Sequence, residues 1–389
     1  MKIVFFNIPA YGHTNPTLNV VKELTSRGHK VYYFSYDIMK EKIEDAGAEF
    51  ISCMEYDKEL KLKESDRERI GKDLTFSTQV LVDTTLALDE MVMSEMKRIK
   101  PDCIVADSMA IWGKAAALKL GIPFVSSTTT FAFNKHSAQI MKKSGKDLIS
   151  MMFSMIGAGK QVKRLQKKGY PFKNVLDIIS NDNSVDTVVY TSKEFQPCSE
   201  TFSDKYEFVG PSIRKAEKPF DKKKEILIYI SMGTVNNAKA EFYHKCIDAL
   251  KKFDAQVVIS VGNLVDMNKF SDLPENISVY EKTDQIAILE KADLFITHCG
   301  MNSVNEGLYF GVPLIMNPQT DEQMGVATRT NQLGAGIFLE DENSESIFNA
   351  VKEVLDNSSY RENAVKISDN FKRCGGAKAA ADKIISVCK

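Results

Sequence analysis

Two histidines stand where an apolar, strand-like run gives way to small and polar residues, and chemistry is to be sought at those two places. The first is His13, in Asn7-Ile8-Pro9-Ala10-Tyr11-Gly12-His13-Thr14-Asn15-Pro16-Thr17, directly after the run Lys2–Ile8. An imidazole titrates near neutrality, so a histidine there can take a proton from an alcohol. Such a base needs a carboxylate to orient it. Asp107, which closes the run Cys103–Ala106, is the candidate. A plainer role is also open to each: a turn histidine bound to backbone, and an aspartate capping the helix that contains Trp112. The second histidine is His298, in Phe295-Ile296-Thr297-His298-Cys299-Gly300-Met301-Asn302-Ser303-Val304-Asn305-Glu306-Gly307. This block reads as strand, small-residue turn and helix, so free N–H groups and the positive end of a helix dipole meet at the turn. Asn302 and Ser303 add donors, His298 can donate to a phosphoryl oxygen, and Glu306, one turn in, can accept from ribose hydroxyls. A second turn, Ser231-Met232-Gly233-Thr234-Val235, follows another apolar run and could close the far side of a diphosphate. The alternative is a capped helix whose polar residues satisfy only backbone; two such turns in one half of the chain favour an anion site.

The elements that must position these groups alternate regularly. Strand-like runs fall at Lys2–Ile8, Lys30–Phe34, Glu49–Ile51, Cys103–Ala106, Phe124–Ser126 and Thr187–Thr191, with helical patterns between them. The first helix is expected near Thr17–Arg27, with Pro16 in its first turn and Gly28 at its end. Residues 210–224 carry two prolines and many charges and read as a linker. The alternation then restarts, with strands expected at Ile226–Ile230, Gln256–Val261, Ile277–Tyr280, Leu294–Thr297, Pro313–Met316 and Gly336–Leu339. Such β-α-β alternation implies parallel sheets covered on both faces. The expectation is an α/β protein of two doubly wound domains. Ligands of such sheets sit beyond the carboxyl ends of the strands, and a cleft between two sheets is the default site.

The 389 residues fit two domains rather than one. A hydrophobic share of 43% with 26% charged residues is that of a folded globular protein. A net charge of -1 gives no electrostatic reason for nucleic-acid binding. The seven cysteines are scattered without a Cys-x-x-Cys pair, as expected of reduced thiols in a cytoplasm, and they do not cluster with the five histidines as zinc ligands. The apolar N-terminal run is too short for a signal peptide core, and no later segment is long enough to span a bilayer. Gly157-Ala158-Gly159-Lys160 and Gly334-Ala335-Gly336 fit neither the dinucleotide nor the P-loop spacing, which counts against a nicotinamide enzyme. One stretch is irregular. Residues 140–169 combine Met141, Met151, Met152, Phe153 and Met155 with Lys160, Lys163, Arg164, Lys167 and Lys168. It could be a pliable pocket wall, a membrane-resting patch, or a helix pair with a solvated basic face.

Taken together, Gly12-His13-Thr14-Asn15-Pro16, Ser231-Met232-Gly233-Thr234-Val235 and the block from His298 to Gln323 resemble the family-one UDP-glycosyltransferases, within them the bacterial macrolide-type glucosyltransferases. The resemblance spans nearly the whole chain. It implies the GT-B fold, two Rossmann-like domains facing across a cleft, with the acceptor on the first and the nucleotide sugar on the second. The domains are then 1–210, a linker 211–224, a second domain 225–375, and a terminal helix 376–389 that crosses back. It makes His13 the catalytic base and Asp107 its partner. His298, Gly300, Asn302 and Ser303 would hold the diphosphate, assisted by Ser231, Gly233 and Thr234, with Glu306 on the ribose. Glu322 and Gln323 match the acidic-Gln pair that reads sugar hydroxyls. Thr283 and Gln285 lie in the base-binding stretch, but Lys282 stands where the family places an aromatic on uracil, so uridine and thymidine both stay open. The implied reaction is a single inverting displacement from a UDP-sugar, most simply UDP-glucose, with no cofactor and no metal. The acceptor would be a small apolar or aromatic molecule, with Phe131, Phe133, Met151 and Met152 as candidate contacts. The implied partners are the donor and a small-molecule acceptor, with weak membrane contact left open, and the expected location is the cytoplasm. A transferase for lipid acceptors, a nucleotide-sugar epimerase and a non-enzymatic sugar-nucleotide sensor are the rivals.

Overall fold

The computed structural model describes residues 1–54, 73–134, 136–137, 159–179, 183–233 and 239–388. The chain folds as two units, one formed by Met1–Ser212 with Cys374–Lys389, the other by Ile213–Arg373.

The first unit is built on a parallel sheet of seven strands in the order β3-β2-β1-β4-β5-β6-β7. The strands are β1 (Lys2–Phe6), β2 (Lys30–Ser35), β3 (Glu49–Ser52), β4 (Cys103–Asp107), β5 (Phe124–Thr128), β6 (Thr187–Val189) and β7 (Tyr206–Phe208). Alternate residues of β1 serve opposite faces, as strand geometry requires. Ile3 and Phe5 pack with Val20, Val21 and Leu24 of the first helix, α1 (Tyr11–Ser26), and with Ala380, Ala381 and Ile384 of the last. Val4 and Phe6 pack instead with Leu88, Val92 and Met96 of the long helix Leu74–Ile99 and with Trp112. Burial on both faces explains why these strands read as unbroken apolar runs.

Two local differences from the sequence reading matter. Helix α1 begins at Tyr11, not near Thr17, because the Ala10 carbonyl accepts from both His13 N (3.0 Å) and Thr14 N (2.9 Å). Pro16 therefore lies inside the helix rather than in its first turn, and His13 is a helical residue, not a turn residue. The edge strand β7 was not expected; three residues are too few to show a period.

The second unit repeats the plan with six parallel strands in the order β10-β9-β8-β11-β12-β13. These are β8 (Leu227–Ser231), β9 (Gln256–Ser260), β10 (Ile277–Tyr280), β11 (Leu294–Thr297), β12 (Leu314–Met316) and β13 (Gly336–Phe338). Ile228, Ile230, Val257 and Ile259 form its core with Phe242, Ile347, Val351 and Val354. The chain then returns to the first unit through the helix Gly376–Val387, whose Arg27–Asp382 and Lys383–Asp186 pairs (2.5 and 2.7 Å) add to its apolar contacts. Among the described residues no helix is long and apolar enough to cross a membrane.

In each unit the central pair of strands, β1 with β4 and β8 with β11, is where successive crossovers diverge to opposite sides. That switch point leaves a crevice at the carboxyl ends. In the first unit the helix α2 (Ile111–Leu120) lies so close behind this pair that a methyl group on Gly113 would come within 2.7 Å of Ala106 Cβ and 2.8 Å of Phe6 Cδ2. Gly113→Ala is expected to destabilise the protein by about 1–3 kcal/mol through overpacking, seen as a lower urea midpoint with an unchanged slope.

Candidate active site

In the first unit the switch point collects three side chains. Asp107 is the last residue of β4, and His13 is one turn into the helix that follows β1. Phe6 pairs with Ala106 in register, so the two chain segments leave the sheet side by side. His13 Nδ1 lies 2.5 Å from Asp107 Oδ2. Thr129, just past β5, brings its hydroxyl to 3.1 Å from the same nitrogen. The Asp107 side chain is fully buried, whereas His13 keeps 19% of its side chain exposed. A buried carboxylate persists only when it is paired. Asp107 meets that need with the imidazole on one oxygen and the Met109 N–H, at 2.6 Å, on the other. It does not cap the helix containing Trp112, whose cap position is Ala110. Asn7 holds the other side of the arrangement, its amide donating to the His13 carbonyl at 2.9 Å. With Nδ1 turned to a carboxylate, Nε2 is the nitrogen that exchanges protons with a ligand.

The second unit carries a different chemistry at its switch point. Thr297 of β11 pairs with Ser231 of β8, so His298 leaves the sheet beside Met232 and Gly233. Its ring lies flat between two glycines. A methyl on Gly233 would fall 2.5 Å from His298 Cε1 and Nε2, and one on Gly300 would fall 2.7 Å from Nε2. Gly233 also has φ +82°, a conformation that L side chains rarely adopt. Burial pushes the His298 imidazole down to about 4, and a hydrogen bond from the ring to the Ser231 backbone carbonyl only partly opposes this. The ring is thus neutral near pH 7. Cys299 follows with φ 65°, and Gly300 caps helix α3 (Met301–Tyr309). Asn302 and Ser303 occupy the first turn of α3, at the positive end of the helix dipole. The arrangement suits an oxyanion: backbone donors, a neutral imidazole, and room made by small residues.

One turn further along α3 lies Glu306. Gln285 Nε2 donates to Glu306 Oε2 at 2.5 Å. The Tyr229 hydroxyl is 3.3 Å from Gln285 Oε1 and 2.9 Å from Thr283 Oγ1. Thr283, Gln285 and Glu306, singled out from the sequence, are therefore brought into one network. Burial pushes the Glu306 carboxyl up to about 7; the Gln285 hydrogen bond and the Arg214 charge pull the other way, and Asp284 adds to the rise. The residue keeps some exposed surface, but the carboxyl itself is closely surrounded. Arg214 pairs with Asp284, whose other oxygen takes the Glu217 N–H at 2.8 Å, so the start of this unit is fastened beside Gln285.

Glu322 and Gln323 begin helix α4 (Asp321–Gln332), which follows β12, the neighbour of β11. Gln323 Oε1 accepts from Gln319 N at 2.8 Å and Thr320 caps the helix. Glu322 is exposed, as is Lys282. Phe131 is buried against Phe195, with ring centres 5.7 Å apart, while Phe133 is exposed. Thr234, Met151 and Met152 lie outside the described residues. Of the basic stretch, Val162 and Leu165 are buried with Tyr170 and Phe172, while Lys160, Lys163, Arg164, Lys167 and Lys168 face solvent. No group of three His, Cys, Asp or Glu among the described residues could hold a metal ion.

Sequence reasoning missed Thr129, Tyr229 and Arg214. Thr129 could have been reached from strand order, since β5 lies next to β4. Tyr229 was hidden inside an apolar run, and Arg214 inside what read as a linker.

Comparison with known proteins agrees with this geometry. Residues 217–373 match the family model described as UDP-glucoronosyl and UDP-glucosyl transferase. The uncharacterized UDP-glucosyltransferase YojK of Bacillus subtilis (strain 168) is 34% identical over 100% of this chain and 97% of its own length. The chain belongs to the family-one UDP-glycosyltransferases. The NDP-glycosyltransferase YjiC of Bacillus licheniformis is 35% identical, over 98% of this chain and 96% of its own. Among solved structures, the calicheamicin glycosyltransferase CalG4 superposes with a TM-score of 0.83 at 26% identity, covering 99% of this chain and 98% of that one. The two sheets are those of a GT-B glycosyltransferase. The family places an enzyme, a glycosyltransferase, on this pair of units.

The contact between His298 and Gly233 yields a direct test. Gly233→Ala must displace the ring or strain the turn, each costing about 1–3 kcal/mol. Calorimetric titration of UDP into this variant is expected to give roughly tenfold or more weaker binding.

Proposed function

We propose that this enzyme transfers a hexose, glucose in the first instance, from a UDP-sugar to a hydroxyl of a small apolar or aromatic natural product, inverting the anomeric carbon without a metal ion. The observation that carries the proposal is the His13–Asp107 pair at 2.5 Å. A sugar-nucleotide sensor has no use for a base oriented in this way, whereas an acceptor hydroxyl must lose a proton; an epimerase would turn over the nucleotide sugar with no acceptor present. His13 Nε2 takes that proton as the acceptor oxygen attacks the anomeric carbon and the bond to the diphosphate breaks. Asp107 keeps the imidazole oriented and stabilises its protonated form. Negative charge growing on the departing UDP is met by the N–H groups opening α3, by Asn302 and Ser303, and by His298, with Ser231 and Gly233 behind it. Glu306 and Gln285 receive the ribose, and Glu322 and Gln323 read the sugar hydroxyls.

The acceptor class is supported by the calicheamicin glycosyltransferase among the structural neighbours. The donor base is proposed to be uridine with tolerance for thymidine. Lys282 is exposed and offers no aromatic face, and the YjiC relative is named for nucleoside diphosphates in general.

His13→Ala is expected to lower kcat/KM on a phenolic acceptor by about 10²–10⁴-fold, with UDP affinity within twofold of wild type. Turnover at the wild-type rate would remove His13 as the base. A panel of UDP- and TDP-sugars against one promiscuous phenol, read by mass spectrometry, tests donor and product together. The pH dependence has a definite sign. Below about 7 the Glu306 carboxyl is protonated and loses acceptor capacity, so UDP-glucose should bind more tightly at pH 8 than at pH 6. Its diphosphate charge is constant over that range. Glu306→Gln, which keeps an acceptor for Gln285, should flatten the dependence; an equally steep slope in that variant would locate the titration elsewhere.

A further inference from the structure

The donor reading assigns Glu306 and Gln285 to the ribose but does not say what fixes their geometry. We infer that Tyr229 is a positioning residue for donor binding: its buried hydroxyl sets the orientation of the Gln285 amide and, through it, of the Glu306 carboxylate.

Tyr229 is the central residue of β8 and is 1% exposed. Its ring is stacked on Phe295 of β11, with centroids 5.0 Å apart and planes 23° from parallel. The phenol oxygen is therefore held by the two central strands of the sheet and not by a loop. Burial pushes its pKa up to about 12, so the group keeps its proton at every working pH. One hydroxyl has one proton to give. Donated to Gln285 Oε1 (3.3 Å), it leaves the phenol oxygen to accept from Thr283 (2.9 Å). The chain then has one polarity: Thr283 hydroxyl to Tyr229 hydroxyl to Gln285 carbonyl, and Gln285 amide to Glu306 carboxylate at 2.5 Å. Turning the amide over would set a carbonyl oxygen against the carboxylate and leave two acceptors facing each other, which burial makes costly. Amide orientation is fixed by such networks. Anchored in this way, Glu306 presents its second oxygen in a constant direction.

This inference rests on the donor reading above, and its test separates the two. Tyr229→Phe removes only the hydroxyl and keeps the ring stack. It is expected to raise KM for UDP-glucose and Kd for UDP about three- to tenfold, the effect of one lost neutral hydrogen bond. The kcat and the acceptor KM should stay within twofold. A general loosening of the fold would move these constants together. In a Gln285→Ala background the same substitution should have no further effect, because Tyr229 then has no amide to orient. The inference is overturned if Tyr229→Phe binds UDP as wild type does while Glu306→Ala binds it weakly. It is equally overturned if the Tyr229→Phe penalty is undiminished in the Gln285→Ala background. If Glu306→Ala itself leaves UDP binding unchanged, the donor reading fails, and this inference with it.

Discussion

The two histidine sites of this chain are placed by one topological constraint. Strands joined by crossover helices run parallel, so all carboxyl ends fall on one edge of the sheet. In both units the order runs outward from a central pair, β1 with β4 and β8 with β11. Helices leaving that pair diverge, and the space above it cannot be filled by either. His13 and Asp107 sit at this point in the first sheet, His298 and Gly233 at the equivalent point in the second. The rest of each unit, from the layered core to the returning C-terminal helix, keeps those central strands fixed.

The same geometry supports opposite electrostatics. In the first unit a carboxyl group is buried completely, with an imidazole on one oxygen and a backbone N–H on the other. The pairing fixes which ring nitrogen is left to face a ligand, which is what a base requires. In the second unit burial drives the histidine down, to about 4. A neutral ring and backbone dipoles suit an anion without the desolvation penalty of a fixed charge. The two histidines thus have different surroundings: His13 follows β1, beside a strand that ends in aspartate, and His298 follows β11, beside a strand that ends in serine followed by small residues.

The alternation of apolar runs and helical patterns was enough to read two parallel sheets, and strand limits agreed to within a residue or two at most positions. This legibility has a physical source, since strands buried on both faces must be continuously apolar. What local pattern could not convey was anything decided by three residues or by long-range register. The edge strand Tyr206–Phe208 is one case, and the start of α1 is another: Pro16 looked like a first-turn residue, yet a single carbonyl, that of Ala10, opens the helix five residues earlier. The site divides along the same line. His13, Asp107, His298 and Glu306 were legible because chemistry-bearing residues at the ends of apolar runs stand out. Tyr229 and Thr129 were not, because their roles come from which strands lie side by side. Arg214 was read as part of a charged linker, and only the fold shows that it closes on Asp284.

Tyr229 also illustrates how an apolar sheet can hold a polar site in place. A phenol in the middle of β8 contributes its ring to the core and its oxygen to the network, so the same packing that stabilises the sheet fixes a hydrogen-bond donor. Glu306 depends on that rigidity. A carboxyl poised near 7 is poorly solvated, and its orientation is set by whatever polar neighbours it has. Loop residues around it could rearrange with little resistance, but a tyrosine locked between β8 and β11 cannot. A carboxyl pushed up by burial is therefore tied, through one amide, to the central strands of the unit.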